Sequence, residues 1–137
     1  MMSKEHLETL IQETLAGKHT FPEHLMHLMS QGGKKYQIDL EKSTGLYYGE
    51  EASPLVKNLP LQVQLQFSAQ WTPELIKAAI TEVQKKVINY QQFLEAIAQA
   101  GVRNYTVEIF GKRTIYYGLQ QEYVEPFPSA LISMLKL

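Results

Sequence analysis

The sequence predicts an α+β domain in which two helix–helix–β-hairpin units form one antiparallel sheet, with the helices packed on one face. Residues 21–49 recur without gaps as residues 90–118, at an offset of 69 residues. In both copies the spacing of apolar residues changes from helical to alternating. A repeat of this length indicates a supersecondary unit used twice. At the same offset, nine positions are identical between residues 5–49 and 74–118: Glu5/Glu74, Ile11/Ile80, Glu13/Glu82, Leu25/Leu94, Gly32/Gly101, Tyr36/Tyr105, Tyr47/Tyr116, Tyr48/Tyr117 and Gly49/Gly118.

Length, charge and cysteine content narrow the function classes. The chain has 137 residues, which suits a single domain made of two related halves at about residues 4–69 and 73–137. It contains no cysteine, which excludes disulfides and thiolate chemistry. The N-terminus has no apolar signal region and no segment reaches the roughly 20 apolar residues of a membrane span, so we expect a cytoplasmic protein without a membrane partner. A net charge of −1 gives no global attraction for nucleic acid.

The helices of both units have start and stop signals at equivalent positions. Helical spacing predicts the first helix over residues 4–17, and Thr72 as N-cap followed by Pro73 opens its counterpart. A capping-box pair opens each second helix, and a glycine suited to a left-handed conformation follows it: Thr20–Glu23 with Gly32, and Asn89–Gln92 with Gly101.

Alternating polarity after each glycine predicts two β-hairpins that end in Tyr-Tyr-Gly. Residues 50–60 contain two prolines and are expected to form a loop. Residues 61–68 alternate perfectly and predict a further strand. Near the C-terminus, residues 123–125 are compatible with a strand, and the chain from Ser129 is compatible with a short helix or strand.

The second unit and the C-terminal segment resemble a known family. The segments YQQFL, AGVRNYTVEIFGKRTIYYG and EYVEPFP are similar to the YdfO-like family of small bacterial proteins of unknown function, some of which carry the label phage envelope protein. The resemblance implies a compact α+β domain and supplies no established activity or cofactor. Family members typically end on His-Val-Glu-x-Phe-Pro, whereas Tyr123 stands at the histidine position here, which argues against a role for an imidazole at that point.

The predicted hairpins offer one candidate ligand site. If Tyr36 faces the helices, strand parity places two pairs of an acid and a tyrosine on the open face of the sheet: Asp39 with Tyr47, and Glu108 with Tyr116. Such a face can bind a polar ligand, contact a second subunit, or simply be solvated. The C-terminal segment is expected at the rim of any site, contributing Tyr123, Glu125 and Phe127.

The histidines offer a weaker candidate for a metal site. His24 and His27 lie three residues apart on a predicted helix, with His19 just before its cap, and two imidazoles with a carboxylate can hold zinc. They align with Phe93 and Ala96 of the second unit, so the scaffold accepts apolar residues there. We therefore expect no metal and no other cofactor, with His24 partly buried and His27 exposed.

The sequence favours a noncatalytic binding or interaction domain for a protein or a small polar ligand, and sheet edges make a homodimer plausible. The alternative is a small hydrolase or metal-dependent enzyme that uses Glu125, Asp39, Glu108 or the histidines. Nucleic-acid binding has little support, because acidic residues dilute the basic residues on which it would rest: Lys34, Lys35, Arg103, Lys112 and Arg113.

Overall fold

The computed structural model describes residues 2–51 and 53–137, and in these ranges it contains five helices and a six-stranded antiparallel sheet. The α+β class predicted from the sequence is confirmed. The helices are α1 (Lys4–Leu15), α2 (Phe21–Ser30), α3 (Pro73–Gln84), α4 (Tyr90–Gln99) and α5 (Ser129–Leu135). The strands are β1 (Lys35–Asp39), β2 (Thr44–Tyr48), β3 (Leu55–Asn58), β4 (Asn104–Glu108), β5 (Arg113–Tyr117) and β6 (Glu122–Pro126).

The sheet is arranged symmetrically about its central strand pair. Its order is β3-β2-β1-β4-β5-β6, and β1 pairs antiparallel with β4 so that Gln37 lies opposite Thr106. These two residues are themselves 69 positions apart, which gives the centre of the sheet a local two-fold geometry. The starts of α1 and α3, α2 and α4, β1 and β4, and β2 and β5 are separated by the same 69 residues. The origin of this arrangement in a duplication stays a prediction.

One face of the sheet packs against the helices. Tyr36, Ile38, Tyr105 and Val107 are at most 2% exposed and alternate with less buried residues along β1 and β4. Such alternation is expected of an antiparallel sheet with one buried face. The helices complete the hydrophobic core with side chains that are fully buried: Leu7, Leu25, Ile76, Leu94 and Ile97.

Most of the predicted helix boundaries are confirmed. Both capping boxes are formed, and Gly32 and Gly101 have φ angles of 85° and 100° after α2 and α4. Thr72 is the N-cap of α3 as predicted, but its side chain makes no capping hydrogen bond within the described chain. The backbone N–H of Thr72 instead donates to the carbonyl oxygen of Ala100. This bond holds Thr72 at φ −131° and ψ 88°, away from the extended ψ of the other N-caps, and Pro73 begins the helix.

Two predictions for the connection between the halves are wrong. Residues 55–58, part of the expected loop, form β3 and pair with β2. Residues 61–68, the expected strand, form none because β3 already occupies that edge of the sheet. This segment runs along the helices instead, where the Ser68 N–H donates to the carbonyl oxygen of Ala98 and Leu65 enters the core. Its alternating pattern therefore reflects intermittent contact with the helical layer.

The C-terminal segment forms a strand, as expected, and then a short helix, one of the two alternatives left open for the chain from Ser129. Residues 123–125 lie within β6, at the sheet edge opposite β3, and α5 begins at Ser129. Across residues 2–51 and 53–137, none of the helices combines the length and apolar character that a membrane crossing requires.

Gly101 holds the end of α4 close to the segment that precedes α3. A Cβ atom at this position would lie 2.7 Å from the carbonyl oxygen of Gln70, and φ is already 100°. We predict that Gly101→Ala lowers the free energy of unfolding by about 2–4 kcal/mol, because backbone strain and steric overlap add.

The matched control is Gly17→Ala. Gly17 has a φ of 81°, and a Cβ there would meet no described atom within 4 Å. This variant should lose only the roughly 1–2 kcal/mol that a left-handed alanine costs. Urea denaturation measures both losses, and equal losses would contradict the close packing at Gly101.

Candidate functional site

A cavity of about 350 Å³ opens between the two halves, on the helix-covered side of the sheet. Residues 17–20 between α1 and α2 line it from one half, and residues 86–89 between α3 and α4 line it from the other. The two segments are equivalent at the offset of 69. Residues 125–128 close another side. The cavity therefore lies at the junction of the halves.

Tyrosine rings form much of the sheet-side wall of this cavity. Tyr36, Tyr105 and Tyr116 line it and are at most 5% exposed. The ring centroids of Tyr105 and Tyr116 are 5.5 Å apart, and the hydroxyl groups of Tyr90 and Tyr105 share a hydrogen bond. Tyr36 in turn stacks on Tyr47, with centroids 5.3 Å apart. The wall thus combines flat apolar surface with phenol groups that can donate or accept hydrogen bonds.

Burial keeps these phenols neutral. It raises the pKa of Tyr36 and of Tyr105 well above the ordinary value, and the nearby Tyr90 raises both further. Burial also raises the pKa of Tyr90 to about 12, against a smaller lowering by its hydrogen bond with Tyr105. At neutral pH these residues offer uncharged hydroxyl groups to the cavity.

His24 and Thr14 form the polar part of the wall on the first half. Both are 5% exposed, and Thr14 Oγ1 lies 2.8 Å from His24 Nδ1 in a shared hydrogen bond. The His24 ring meets Tyr36 edge to face, with centroids 5.5 Å apart. Burial, with smaller contributions from the charges of His19 and His27, lowers the pKa of His24 to about 3. The imidazole is therefore neutral at physiological pH.

Glu125 brings a carboxylate to the opposite side of the cavity. It lies opposite Thr114 in the β5–β6 pair, and both residues line the cavity. The Tyr123 hydroxyl donates to Glu125 Oε1 at 2.6 Å. Burial, together with a smaller contribution from its hydrogen bond to this carboxylate, raises the pKa of Tyr123 to about 12.

The prediction that acids and tyrosines share the open face of the sheet is wrong. Tyr47 and Tyr116 lie on the helix-packed face, because each is directly opposite the buried tyrosine of its neighbouring strand. Directly opposed residues of an antiparallel pair project to the same face. Asp39 and Glu108 keep the opposite parity, as expected. The alternation of residues within one strand does not determine which residues of the neighbouring strand they lie opposite.

The two acids on that face have local structural partners. The Asp39 side chain accepts a hydrogen bond from the Lys42 N–H at 3.1 Å in the β1–β2 turn. Glu108 Oε1 lies 2.6 Å from Arg113 Nε in an ion pair. Arg103, another member of the proposed basic patch, pairs with Glu41 at 3.4 Å. These contacts give the charged residues roles in holding the sheet.

Of the three C-terminal residues proposed for the rim, Glu125 and Phe127 line the cavity and Tyr123 does not. Glu125 and Phe127 line it together with Tyr116, and the ring centroid of Tyr123 is 6.4 Å from that of Tyr116. Phe127 also meets the ring of Phe21 edge to face, with centroids 6.1 Å apart, which ties this segment to α2.

Sequence reasoning missed Tyr36, Tyr90 and Tyr105 as site residues. Large side chains that face the helices look like ordinary core, and only the tertiary arrangement shows space above them. The one available signal was the concentration of tyrosine at equivalent positions of the repeat, as at Tyr36 and Tyr105.

The histidines differ in burial and in their contacts. His24 is buried and His27 is exposed, and the ring centroid of His27 lies 4.7 Å from that of His19. Among the ion pairs of the described chain, one involves these two histidines: His19 Nε2 lies 3.8 Å from Glu13 Oε1. Within residues 2–51 and 53–137, no three histidine or acidic side chains form a set that could hold a metal ion.

A family model described as protein of unknown function (DUF1398) matches residues 56–125, which are 70 of the 137 residues. The matched region includes most of β3 and extends to Glu125 in β6, so it contains the cavity wall contributed by the second half except for residues 126–128. No curated protein matches the chain in sequence.

The Thr14–His24 hydrogen bond can be tested against the second half, where Val83 and Phe93 occupy the equivalent positions. We predict that His24→Phe lowers the free energy of unfolding at pH 7 by about 1–3 kcal/mol, because the buried Thr14 hydroxyl loses its partner. Adding Thr14→Val should restore most of this loss. Urea denaturation of the single and double variants measures the coupling, and simply additive losses would argue against the pairing.

His24 also predicts a specific pH dependence. Its pKa is about 3 in the folded protein and near 6.5 in the unfolded chain, so the unfolded chain binds more protons between these values. The stabilisation is complete above pH 6.5 and is lost as the pH falls toward 3, with a slope of up to about 1.4 kcal/mol per pH unit. Urea midpoints between pH 4 and pH 7 should show a shallower slope for His24→Phe/Thr14→Val; identical slopes would refute this role.

Proposed function

The chain belongs to the family of proteins of unknown function DUF1398, and we propose from its cavity that it is a binding domain for a small organic molecule. The observation that carries this proposal is the cavity of about 350 Å³, in which aromatic rings, neutral phenols and a neutral imidazole line one space. Small-molecule sites are usually concave, largely apolar and equipped with a few polar groups that orient the ligand.

The chemistry of the walls favours an amphipathic ligand. A flat or branched apolar body can pack against Tyr36 and Tyr105, where ring faces offer large contact area. A polar group on the same molecule can then bond to a tyrosine hydroxyl or to Glu125. This narrows the expectation of a small polar ligand to one with a substantial apolar part.

The enzyme alternative lacks a comparable observation. Of its candidate residues, Asp39 and Glu108 lie on the face of the sheet away from the cavity. Glu125, His19 and His24 line the cavity, but the Nδ1 atom of His24 already shares a hydrogen bond with a threonine. A general base must reach the proton it removes, and a nucleophile must lie beside it. Binding therefore has the better support.

We also infer that the protein is a YdfO-like member of its family and works in the cytoplasm. The Tyr-Val-Glu-Pro-Phe-Pro sequence at residues 123–128 supports the first inference, and the lack of cysteine agrees with the second. A protein partner or a homodimer stays a hypothesis, for which the edge strands β3 and β6 are the natural contact surfaces.

Blocking the cavity tests the proposed function. Val83 lines the cavity from the end of α3 and is partly exposed, so Val83→Trp should fill space there without opening the core. We predict that aromatic fragments raise the melting temperature of the wild-type protein, since a ligand that binds only the folded state stabilises it. The shift should disappear in Val83→Trp.

The control for this experiment is Val56→Trp. Val56 is 59% exposed on β3, and its register partner Leu46 lies on the face away from the cavity, so the same substitution should leave fragment binding intact. Absence of any stabilising fragment for the wild-type protein, or an unchanged shift in Val83→Trp, would contradict the proposed site.

A further inference from the structure

We propose that the ligand of this cavity is an organic cation, an amine or quaternary ammonium with an apolar body, and that Glu125 selects its charge. This inference rests on the proposed binding function and adds the charge of the ligand to it.

The parity of β6 turns Glu125 toward the cavity. Tyr123 and Glu125 are partly buried, whereas Glu122 and Val124 are exposed, so the two pairs project to opposite faces. Within the sheet Glu125 lies opposite a threonine that is 5% exposed and that also lines the cavity. Its carboxylate therefore belongs to the cavity wall and not to the outer face of the sheet.

Glu125 has no cationic side chain paired with its carboxylate in the part of the chain that the structure describes. Within residues 2–51 and 53–137, the acids found in ion pairs are Glu8, Glu13, Glu41 and Glu108, and Glu125 is not among them. Its hydrogen-bond partner is the neutral hydroxyl of a tyrosine, at 2.6 Å. A carboxylate partly withdrawn from water, without a protein cation beside it, favours a positively charged ligand.

Aromatic rings begin beside Glu125, at its hydrogen-bond partner Tyr123, and continue into the cavity wall with Tyr116 and Phe93. The ring centroid of Tyr116 is 6.4 Å from that of Tyr123 and 6.4 Å from that of Phe93. Ring faces attract ammonium groups through their electron density, and the effect grows when the cation is desolvated. The ring of Tyr123 already attracts a cation in this structure, since the Lys77 Nζ atom lies 5.6 Å from its centroid. Lys77 itself is exposed and does not line the cavity.

The other charged groups at the cavity are expected to affect the charge of the ligand less than Glu125 does. Glu23 accepts hydrogen bonds from the N–H and hydroxyl of Thr20 and so serves the start of α2. Lys18 and Lys86 lie on the two inter-helix segments and are exposed, so water screens their attraction for an anion. Glu125 is more buried than either lysine, and its field is correspondingly stronger inside the cavity.

Three probes of nearly equal size separate the effect of charge from that of shape: 2-phenylethylammonium, 2-phenylethanol and phenylacetate. Calorimetric or NMR titration at neutral pH should show the ammonium binding about tenfold more tightly than the alcohol, with phenylacetate weakest. In Glu125→Gln the ratio of ammonium to alcohol affinity should fall to about one.

Glu122→Gln is the matched control, because it removes the same charge from the opposite face of the same strand. It should keep the tenfold preference. The melting temperatures of both variants report whether they fold. If Glu125→Gln fails to fold, the order of the three probes on the wild-type protein still decides the question.

Several outcomes would overturn the inference. The ammonium and the alcohol could bind equally, or the preference for the ammonium could persist in Glu125→Gln. Either result would refute the selection of a cation by Glu125 without contradicting the proposed binding function. Tighter binding of phenylacetate would point to Lys18 and Lys86 instead. No binding of any probe would refute the cation site, and the fragment screen with Val83→Trp decides separately whether the cavity binds anything.

Discussion

The antiparallel pairing of β1 with β4 is the constraint on which the rest of the structure depends. It is the only strand pair that joins the two halves within the described sheet, and it sets Gln37 opposite Thr106. Buried residues of both halves belong to one hydrophobic core, so each half covers apolar surface of the other. The pairing also places the α1–α2 and α3–α4 connections on facing sides of one space. The cavity is therefore a consequence of how the halves join.

A cavity at such a junction lowers the stability of the fold. Rings around an open space have contact atoms on one side only and lose dispersion energy that close packing would supply. Buried hydroxyl groups are destabilising unless they are hydrogen-bonded, and the Tyr90–Tyr105 and Thr14–His24 bonds meet that need here. The surrounding helices are fixed by two complete capping boxes, so the space is bounded by well-defined elements. A ligand in the cavity would restore much of the lost dispersion energy.

Local features of the fold could be predicted from the sequence, whereas features set by strand register and tertiary contact could not. The capping pairs at Thr20 and Asn89 involve residues three positions apart, and their chemistry is legible in the sequence. The side on which Tyr47 lies depends on which residue of β1 it opposes, and alternation within β2 does not determine this. Similarly, the alternation of residues 61–68 could not reveal that β3 already occupies the sheet edge. Of the residues proposed from the sequence as ligand-binding, Tyr116, Glu125 and Phe127 line the cavity, and Tyr116 does so from the face opposite to the one expected.

NMR of the tyrosine ring carbons during titration with the most stabilising aromatic fragment tests the central claim, that the space between the halves is a ligand site. The eight tyrosines report on both faces of the sheet in one spectrum. The account predicts shifts for the cavity residues Tyr36, Tyr90, Tyr105 and Tyr116, with little change at Tyr48 and Tyr117, whose strand parity places them on the other face. Shifts confined to Tyr48 and Tyr117 would contradict it.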